Sequence, residues 1–334
     1  MSDFRNRLER FLTLSNLTST IEQLTPDAST REYFRIEWKE HTAIACVYPE
    51  PFIADEQSYL DVTKLFLAAD LPVAEIYDFD EKLGIILQED FGDTILRDVL
   101  LKSDEKVREN YLNHTISMIA KIQAATPLAF AQNSIASRLA FDFEKLSWEL
   151  DFFTTHYFES FKKDPLNDSD AKSLKSELNE VAQELAGMAK VLTHRDFHAA
   201  NLMLDKQNNL RIIDHQDARI GAASYDLVSL LLDRITTLPT PEWLTEKRRF
   251  FLAEREKLGL EKIDEAAFTD EFRLQTIQRC LKAIGTFSFQ SVNRGKTYFI
   301  PFIKPMFEIV LRAAENLHRF PTLQRIVNDQ ISDS

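Results

Sequence analysis

The stretch that decides the fold is VLTHRDFHAANLMLDKQNNLRIIDHQDARIG, residues 191–221. Short apolar runs alternate with polar segments in it, and the runs are 191–193, 202–204 and 210–213. Asn208 and Asn209 form a turn signal between the last two runs. The pattern predicts a hairpin that carries polar side chains at its ends.

Three polar side chains of this stretch suit phosphoryl transfer. Asp196 stands five residues before Asn201, and Asp214 follows the last apolar run. Phosphoryl transfer needs an acceptor hydroxyl held in line and magnesium to neutralise the nucleotide phosphates. Asn and Asp offer the hard oxygen ligands that magnesium prefers. We therefore predict that Asp196 faces the acceptor while Asn201 and Asp214 hold Mg²⁺.

A purely structural alternative exists, because H-x-D-x-x-x-x-N is short enough to recur by chance as capping or turn chemistry. The context favours catalysis. The motif follows one apolar run, precedes a second, and is followed by IIDHQD at residues 212–217. Strands and a helix in the expected order also precede it.

Residues 1–90 are predicted to form a small mixed β-sheet lobe with one main helix. Runs rich in β-branched and aromatic residues predict strands. These runs are Thr18–Leu24, Tyr33–Trp38, Thr42–Tyr48, 71–80 and 84–90. A helix is predicted at about 53–69, where Tyr59, Val62 and Phe66 repeat at helical spacing.

Residues 91–334 are predicted to form a larger, mostly helical lobe. From Thr94 onwards apolar residues repeat every three to four positions, as at Val107, Tyr111, Met118 and Ile122. We place the hinge between the lobes at about 88–92, which gives an α+β, two-lobed protein.

Composition narrows the functional classes. The 334 residues are 44% hydrophobic, enough for a sizeable core, and the net charge of -13 with a pI near 5.1 gives no basic footprint for nucleic acid. Cys46 and Cys280 lie far apart in the sequence, which favours neither a disulfide nor a zinc site.

No long apolar run predicts a membrane segment, and the opening MSDFRNRLERFLTL mixes charges into its apolar positions. We expect a cytoplasmic monomer.

The loop H-x-D-x-H-x-x-N formed by His194, Asp196, His198 and Asn201 resembles that of the aminoglycoside phosphotransferase-like branch of the protein-kinase-like fold. Within that branch the chain is similar to the bacterial anomeric kinases of N-acetylmuramate and N-acetylglucosamine. Four stretches carry this likeness: 27–36, 87–93, 212–234 and 278–299. The resemblance implies a bilobal kinase fold and transfer of phosphate from ATP to a sugar's anomeric hydroxyl. The sugar 1-phosphate would then serve cell-wall sugar salvage.

The resemblance also implies roles for single residues. Asp196 would accept or orient the acceptor proton, while Asn201 and Asp214 would hold Mg²⁺ against the phosphates. His194 and His198 are better placed to shape the loop than to transfer protons.

Three further residues near the loop have open roles. Asp217 could organise metal or substrate, or simply bond the loop. Asp226, at the start of an apolar helix, is predicted to satisfy backbone donors or brace the catalytic loop. Arg195 supports the loop and is also a candidate for a substrate carboxylate or phosphate.

The nucleotide-binding lobe departs from the kinase pattern. The chain has seven glycines and no G-x-G-x-x-G, so we predict a phosphate loop at DASTREYF, residues 27–34, with Ala28, Ser29 and Thr30 near the phosphates. The strand at 42–50 has no lysine and offers Cys46 and Val47 instead.

Other residues could complete the nucleotide site. Arg31 or Arg35 could supply the missing positive charge, or either could be an ordinary surface arginine. Glu56, on the predicted first helix, matches the position of the glutamate that usually pairs with the missing lysine. The hinge residues that could bind the adenine edge through their main chain are Gln88, Glu89 and Asp90.

The acceptor-binding candidates lie mainly in the C-terminal helices. They are Arg195, Arg279, Lys282, Gln290 and Tyr298, whereas Phe287 and Phe289 are predicted to pack in the core.

Two other functions remain open from the sequence. The acidic composition would suit a cationic acceptor such as an aminoglycoside or a choline-like molecule. The absent lysine and glycine-rich loop would suit a regulatory nucleotide-binding module, although retention of Asp196, Asn201 and Asp214 argues against it.

Overall fold

The structure is a computed structural model, and it describes residues 3–24 and 30–332. The strands in these ranges are β1 Ile21–Leu24, β2 Glu32–Trp38, β3 His41–Val47, β4 Ile76–Asp80, β5 Ile85–Glu89, β6 Thr94–Ile95, β7 Val191–Thr193, β8 Leu202–Leu204, β9 Leu210–Ile212 and β10 Arg219–Gly221. The helices are α1 Asp3–Leu14, α2 Ser58–Ala68, α3 Leu96–Lys102, α4 Glu105–Ala124, α5 Thr126–Ala131, α6 Ile135–Arg138, α7 Phe143–Thr154, α8 Asp168–Gly187, α9 Tyr225–Leu232, α10 Pro241–Lys257, α11 Glu265–Arg294, α12 Ile303–Leu317 and α13 Pro321–Ser332. The predicted α+β class is confirmed.

The chain divides into two compact units that interleave along the sequence. The first unit comprises 1–104, 128–135 and 199–217, and the second comprises 105–127, 136–198 and 218–334. The lobe boundary at 88–92 stays a prediction of the sequence. No helix among the described residues is long and apolar enough to cross a membrane.

An antiparallel five-stranded sheet in the order β1-β2-β3-β5-β4 forms the frame of the first unit. Because side chains alternate between the faces of a strand, Phe34, Ile36 and Trp38 of β2 point to one face. Leu8 and Phe11 of α1 pack in the same buried cluster. Tyr33 and Arg35 therefore share the opposite face, together with Cys46, which is paired with Tyr33 across β2 and β3. The guanidinium of Arg31, just before β2, lies near the ring of Tyr33.

The predicted hairpin is present in the first unit as β8 and β9, with Leu202 paired to Ile212. Asn208 has φ +62° at its turn, a conformation that Asn adopts more readily than most residues. At the open end, the backbone N–H of Ile213 donates to the carbonyl of Asn201 at 3.1 Å. This bond holds Asn201 beside the residue that precedes Asp214.

The first apolar run of the deciding stretch pairs elsewhere. β7 lies in the second unit and pairs antiparallel with β10, with Thr193 opposite Arg219. β10 has three residues and no alternating pattern of its own, so the sequence did not predict it.

A 30-residue helix, α11, organises the second unit. Asp264 caps its start by accepting from the backbone N–H of Ala266 and Ala267, and Gly295 ends it in a left-handed conformation. It packs against α7, α9 and α12. Gly285 permits the crossing with α7, because a Cβ there would lie 2.7 Å from the Cα of Phe153.

The predicted helix at 53–69 needs a correction. Residues Ala54–Glu56 form a separate 3-10 turn, and α2 begins at Ser58. The side chain of Gln57 accepts from the backbone N–H of Tyr59 at 3.3 Å and so starts the helix after the turn. Glu56 is therefore exposed ahead of α2 rather than on it.

Two predicted strands are also longer than the observed ones. The run Thr18–Leu24 is a strand only from Ile21, and the run 71–80 is one only from Ile76. Pro72 has no N–H to give to a sheet ladder, and its carbonyl accepts from the N–H of Ile212 at 2.8 Å instead.

Candidate active site

A buried carboxylate fixes the backbone of the loop that follows β7. Asp226, in the first turn of α9, accepts from the backbone N–H of His194 at 2.7 Å and of Arg195 at 3.0 Å. Arg195 has φ +85°, which is unfavourable for a long side chain and costs about 1–3 kcal/mol. The two bonds offset this strain, and the prediction that Asp226 satisfies backbone donors is confirmed.

The environment of Asp226 disfavours its charged form. Burial raises its pKa to about 7, even though the two backbone bonds act in the opposite direction. Asp196 adds to the increase, and Arg279 opposes it.

Asp196 lies among three cations in the second unit. Its Oδ1 is 3.2 Å from Nη2 of Arg279 and 3.6 Å from Nζ of Lys282, and its Oδ2 is 3.8 Å from Nε of Arg195. The side chain remains 27% exposed. Burial alone would raise the pKa of Asp196, but Lys282, Arg279 and Arg195 hold it well below its usual range. The carboxylate is therefore ionised and is a weak base.

The two loop histidines differ in their surroundings. His194 is fully buried, and its ring meets that of Phe197 edge-on at 5.5 Å. Burial lowers the pKa of His198, against the opposing influence of Asp233 and Asp196. A buried ring and a ring that favours its neutral form are consistent with the loop-shaping role expected for both.

Side chains that the sequence did not single out hold Arg279 and its neighbour on α11. Nη2 of Arg279 also lies 3.2 Å from Oγ of Ser229 on α9. Nε2 of Gln278 donates to Oε2 of the buried Glu149 on α7 at 2.8 Å. In the sequence, Glu149 is an acidic residue at a position of α7 where the helical pattern places apolar side chains. This pattern alone does not indicate its partner.

The metal-ligand candidates come together in the first unit. Nδ2 of Asn201 lies 3.5 Å from Oδ2 of Asp214, and Nε2 of Gln216 donates to Oδ1 of Asp214 at 2.8 Å. Asp214 has φ +63°, and its side chain is 44% exposed. The nearby Asp217 is half-buried, and its role stays a prediction.

This pair fits a magnesium ion. A carboxylate and an amide provide oxygen ligands, and Mg²⁺ usually binds one or two carboxylates while phosphates and water complete its shell. Within 3–24 and 30–332, no group of three or more His, Cys, Asp or Glu side chains could hold a metal ion. Asn201 and Asp214 could therefore supply two of the oxygen ligands of a Mg²⁺ ion.

Arg31 lies next to this pair. Its Nη2 is 3.6 Å from Oδ1 of Asp214, and its guanidinium lies 5.7 Å from the ring centre of Tyr33 and 5.6 Å from that of Tyr48. The buried Cys46 stands opposite Tyr33 on β3, in the strand that lacks a lysine. A cation is thus present on this face of the sheet although β3 carries none.

Arg35 has different partners. Its Nε donates to Oδ2 of Asp90 at 2.8 Å, and its Nη2 donates to Oδ1 of Asp93 at 2.7 Å. Asp90 is 4% exposed at its side chain and also accepts from the backbone N–H of Gly92 at 2.9 Å. These contacts tie β2 to the segment that follows β5 and favour the structural alternative for Arg35.

Glu89 and Gln88 are the other two residues of the predicted hinge. Glu89 forms an ion pair with Arg211, whose guanidinium stacks 4.2 Å from the ring centre of Phe91. Gln88 lies within β5, opposite Ile44. Main-chain binding of an adenine by Gln88, Glu89 and Asp90 stays a prediction.

The predicted phosphate loop is only partly described. Ala28 and Ser29 lie outside the described residues, and Thr30 is exposed just before Arg31. Glu56 is exposed in its turn, and its pairing role stays a prediction.

The remaining acceptor candidates near the end of α11 are less central. Tyr298 is 53% exposed and packs on Phe299 at 4.4 Å. Phe287 is buried and stacks on Phe299 at 4.8 Å, which confirms its predicted packing role. Gln290 is half-buried beyond them.

One buried residue beside Asp214 was not predicted. His215 lies between the rings of Tyr59 and Phe66, and its Nε2 is hydrogen-bonded to Oγ1 of Thr63 at 2.7 Å. The contact anchors the end of β9 to α2. Nothing in the local pattern distinguishes this histidine from a surface one.

Known proteins are similar to this chain in sequence or in fold. A sequence model of the phosphotransferase enzyme family matches residues 20–260. A protein of Neisseria meningitidis serogroup B named N-acetylmuramate/N-acetylglucosamine kinase is 27% identical over 312 residues, covering 91% of this chain and 90% of its own length.

Two crystal structures show the same fold at low identity. A putative aminoglycoside phosphotransferase from Ralstonia eutropha has a TM-score of 0.64 at 14% identity, covering 93% of this chain and 98% of its own. An aminoglycoside phosphotransferase in a ternary complex with AMP-PNP and hygromycin B has a TM-score of 0.57 at 17% identity, covering 92% of this chain and 98% of its own.

Proposed function

Because this chain belongs to the phosphotransferase enzyme family, we propose that it phosphorylates the anomeric hydroxyl of an amino sugar, N-acetylmuramate or N-acetylglucosamine or both. It is an ATP-dependent kinase with an alcohol group as acceptor. The name of the Neisseria relative, which aligns along nine-tenths of both chains, supports the sugar. The sugar 1-phosphate would enter cell-wall sugar salvage.

The observation that carries the proposal is the setting of Asp196. An ionised carboxylate at the end of a braced loop can accept a hydrogen bond from an acceptor hydroxyl and aim its oxygen. The loose transition state of phosphoryl transfer requires little proton removal, so a weak base is adequate. An anomeric hydroxyl suits it well, because the ring oxygen makes that hydroxyl more acidic than an ordinary alcohol.

We assign the nucleotide phosphates to the first unit. Asn201 and Asp214 would hold Mg²⁺, which neutralises phosphate charge when it is bound. Arg31 would contact the phosphates in place of the lysine that β3 lacks, since it lies near the ring of Tyr33 and 3.6 Å from Asp214.

The alternative functions are less well supported. A cationic acceptor such as choline or an aminoglycoside would meet Arg279, Lys282 and Arg195 around one carboxylate, so its charge would be repelled there. A regulatory module would have no need for a buried Asp226 that braces the loop of Asp196.

A substrate panel tests the proposal. Purified protein is incubated with ATP and Mg²⁺ and with N-acetylmuramate, N-acetylglucosamine, an aminoglycoside or choline, and the products are identified by phosphorus NMR. We expect a sugar 1-phosphate from at least one amino sugar. Turnover of choline or the aminoglycoside with neither sugar phosphorylated would contradict the proposal.

A further inference from the structure

Several cations share one carboxylate in the second unit. Arg279, Lys282 and Arg195 all lie within 3.8 Å of Asp196. Arg279 and Lys282 approach the same oxygen of this carboxylate in a largely buried region. Burial and the neighbouring Arg279 together lower the pKa of Lys282, which is the expected response of an ammonium group without enough counter-charge.

The other carboxylates of this part of the second unit are engaged elsewhere. Asp226 accepts two backbone N–H groups. Glu149 accepts from Gln278 and lies 3.9 Å from Lys145, and Asp233 lies 3.4 Å from Arg234. Glu149 and Asp233 act on Arg279, and Glu149 acts on Lys282, without a direct ion pair, so an oxyanion of a ligand is a natural further partner for the two cations.

Arg279 and Lys282 are arranged to share one anion. They stand three residues apart on α11, which places both on the same side of that helix. Both approach the same oxygen, Oδ1 of Asp196, at 3.2 Å and 3.6 Å. The 3.6 Å separation of Lys282 is longer than a good charge-assisted hydrogen bond, so this ammonium is the one that a second oxyanion can most easily engage.

We propose that Lys282, with Arg279, forms a carboxylate-binding subsite beside Asp196 that recognises the carboxylate of an acidic amino-sugar acceptor. The inference rests on the proposed function. N-acetylmuramate carries a lactyl carboxylate that N-acetylglucosamine lacks, so the subsite selects between these two sugars.

The test is the selectivity of a Lys282→Met variant, which keeps most of the aliphatic side chain and removes the charge. A charge-assisted bond changes affinity by about tenfold to a hundredfold. We expect the ratio of kcat/KM for N-acetylmuramate to that for N-acetylglucosamine to fall at least tenfold. Lys282→Arg should retain most of the wild-type ratio. Arg273→Met, which removes a surface cation paired with Asp270 on the same helix, is the matched control and should leave the ratio unchanged.

The methyl ester of N-acetylmuramate provides the complementary measurement. Wild-type protein should discriminate against the ester, and Lys282→Met should not. Equal losses of kcat/KM for both sugars in Lys282→Met would overturn the subsite. They would indicate that Lys282 instead positions Asp196 or contacts the transferred phosphoryl group.

Binding separates failure of the subsite from failure of the proposed function. If wild-type protein phosphorylates neither sugar, the proposed function fails, and calorimetry without nucleotide still tests the subsite. Tighter binding of N-acetylmuramate than of its methyl ester supports the subsite. Equal affinity, or no binding of either compound, overturns it.

Discussion

Asp196 shows how far neighbouring charges can set the behaviour of a carboxylate that we propose to be catalytic. Three cations within 3.8 Å keep it ionised and reduce its basicity. In the proposed reaction it would therefore orient the acceptor rather than remove a proton early. Such positioning depends on the loop geometry that Asp226 maintains.

The first prediction concerns Asp196 itself. Asp196→Asn keeps the size of the side chain but removes the charge that accepts the acceptor's hydrogen bond, so kcat should fall by about two to four powers of ten. The affinity for MgATP, measured by calorimetry, should change by less than about threefold. Wild-type turnover in this variant would contradict the assignment.

The second prediction follows from the pKa of Asp226, about 7 in the folded protein. The pKa of this carboxyl in the unfolded chain is about 4, so the folded state binds the proton more tightly. The free energy of unfolding therefore falls as pH rises from about 4 to about 7 and Asp226 loses its proton. Three pKa units correspond to a contribution on the order of 4 kcal/mol.

Asp226→Asn removes this titration. The stability of wild type minus that of the variant should therefore decrease between pH 4.5 and pH 7.5, as measured by urea unfolding. Asp196 titrates well below this range in both proteins and does not contribute. A stability difference that is constant across the range would show that Asp226 is ionised throughout.

The third prediction distinguishes the role of Arg31, which precedes β2, from that of Arg35, which lies within it. Arg31→Met should raise the KM for ATP about tenfold, because a cation beside Asp214 is lost, while the melting temperature changes little. Arg35→Met is the matched comparison. It should lower the melting temperature through loss of the bonds to Asp90 and Asp93, with a smaller effect on KM for ATP. The reverse pattern would assign the phosphates to Arg35.

The sequence could not choose between Arg31 and Arg35. Arg35 lies in β2 and Arg31 stands just before it, so the sequence places both close to the same strand. Their difference arises from partners distant in sequence, Asp214 for one and the aspartates that follow β5 for the other. Asp196, Asn201 and Asp214 were recognisable because their spacing is local to one stretch.

At the scale of elements, the strands with strong alternation were predicted well. β2 differs from its predicted limits by one residue at its start, and β3 and β5 each differ by one residue at both ends. The start of α2 was misplaced because Gln57 caps the helix after a separate turn. β10 was missed because its three residues become a strand only by pairing with β7.

The fourth prediction tests the packing of α11. Gly285→Ala puts a Cβ 2.7 Å from the Cα of Phe153, so α11 and α7 must separate. Overpacking of this kind destabilises a protein by about 1–3 kcal/mol. We expect a lower midpoint of urea unfolding. As a control, Gly187→Ala near the end of α8 meets no atom within 4 Å and should not lower the midpoint.

Gly285→Ala should also weaken the acceptor site. Lys282 stands one turn before Gly285 on α11, so displacing this helix moves its ammonium relative to Asp196. A rise in the KM of the sugar that accompanies the loss of stability would fit this coupling. An unchanged midpoint would mean that α7 accommodates the added methyl group.

At the scale of the whole molecule, the net charge has the same sign as the proposed ligands, ATP and an acidic sugar. The chain carries a net charge of -13, which disfavours the approach of ATP and of an acidic sugar. Arg31 in the first unit and Arg279 with Lys282 in the second unit provide local positive charge against this background. Overall charge alone suggested a cationic acceptor, and the local cations around Asp196 argue for the opposite.

The central claim is that the anomeric hydroxyl of an amino sugar receives the phosphate. The most direct measurement compares ATP consumption with each free amino sugar and with its methyl glycoside, in which that hydroxyl is blocked and every other hydroxyl is retained. We predict turnover of at least one free sugar and none of its methyl glycoside. Phosphorylation of the methyl glycoside at a rate similar to that of the free sugar would contradict the account.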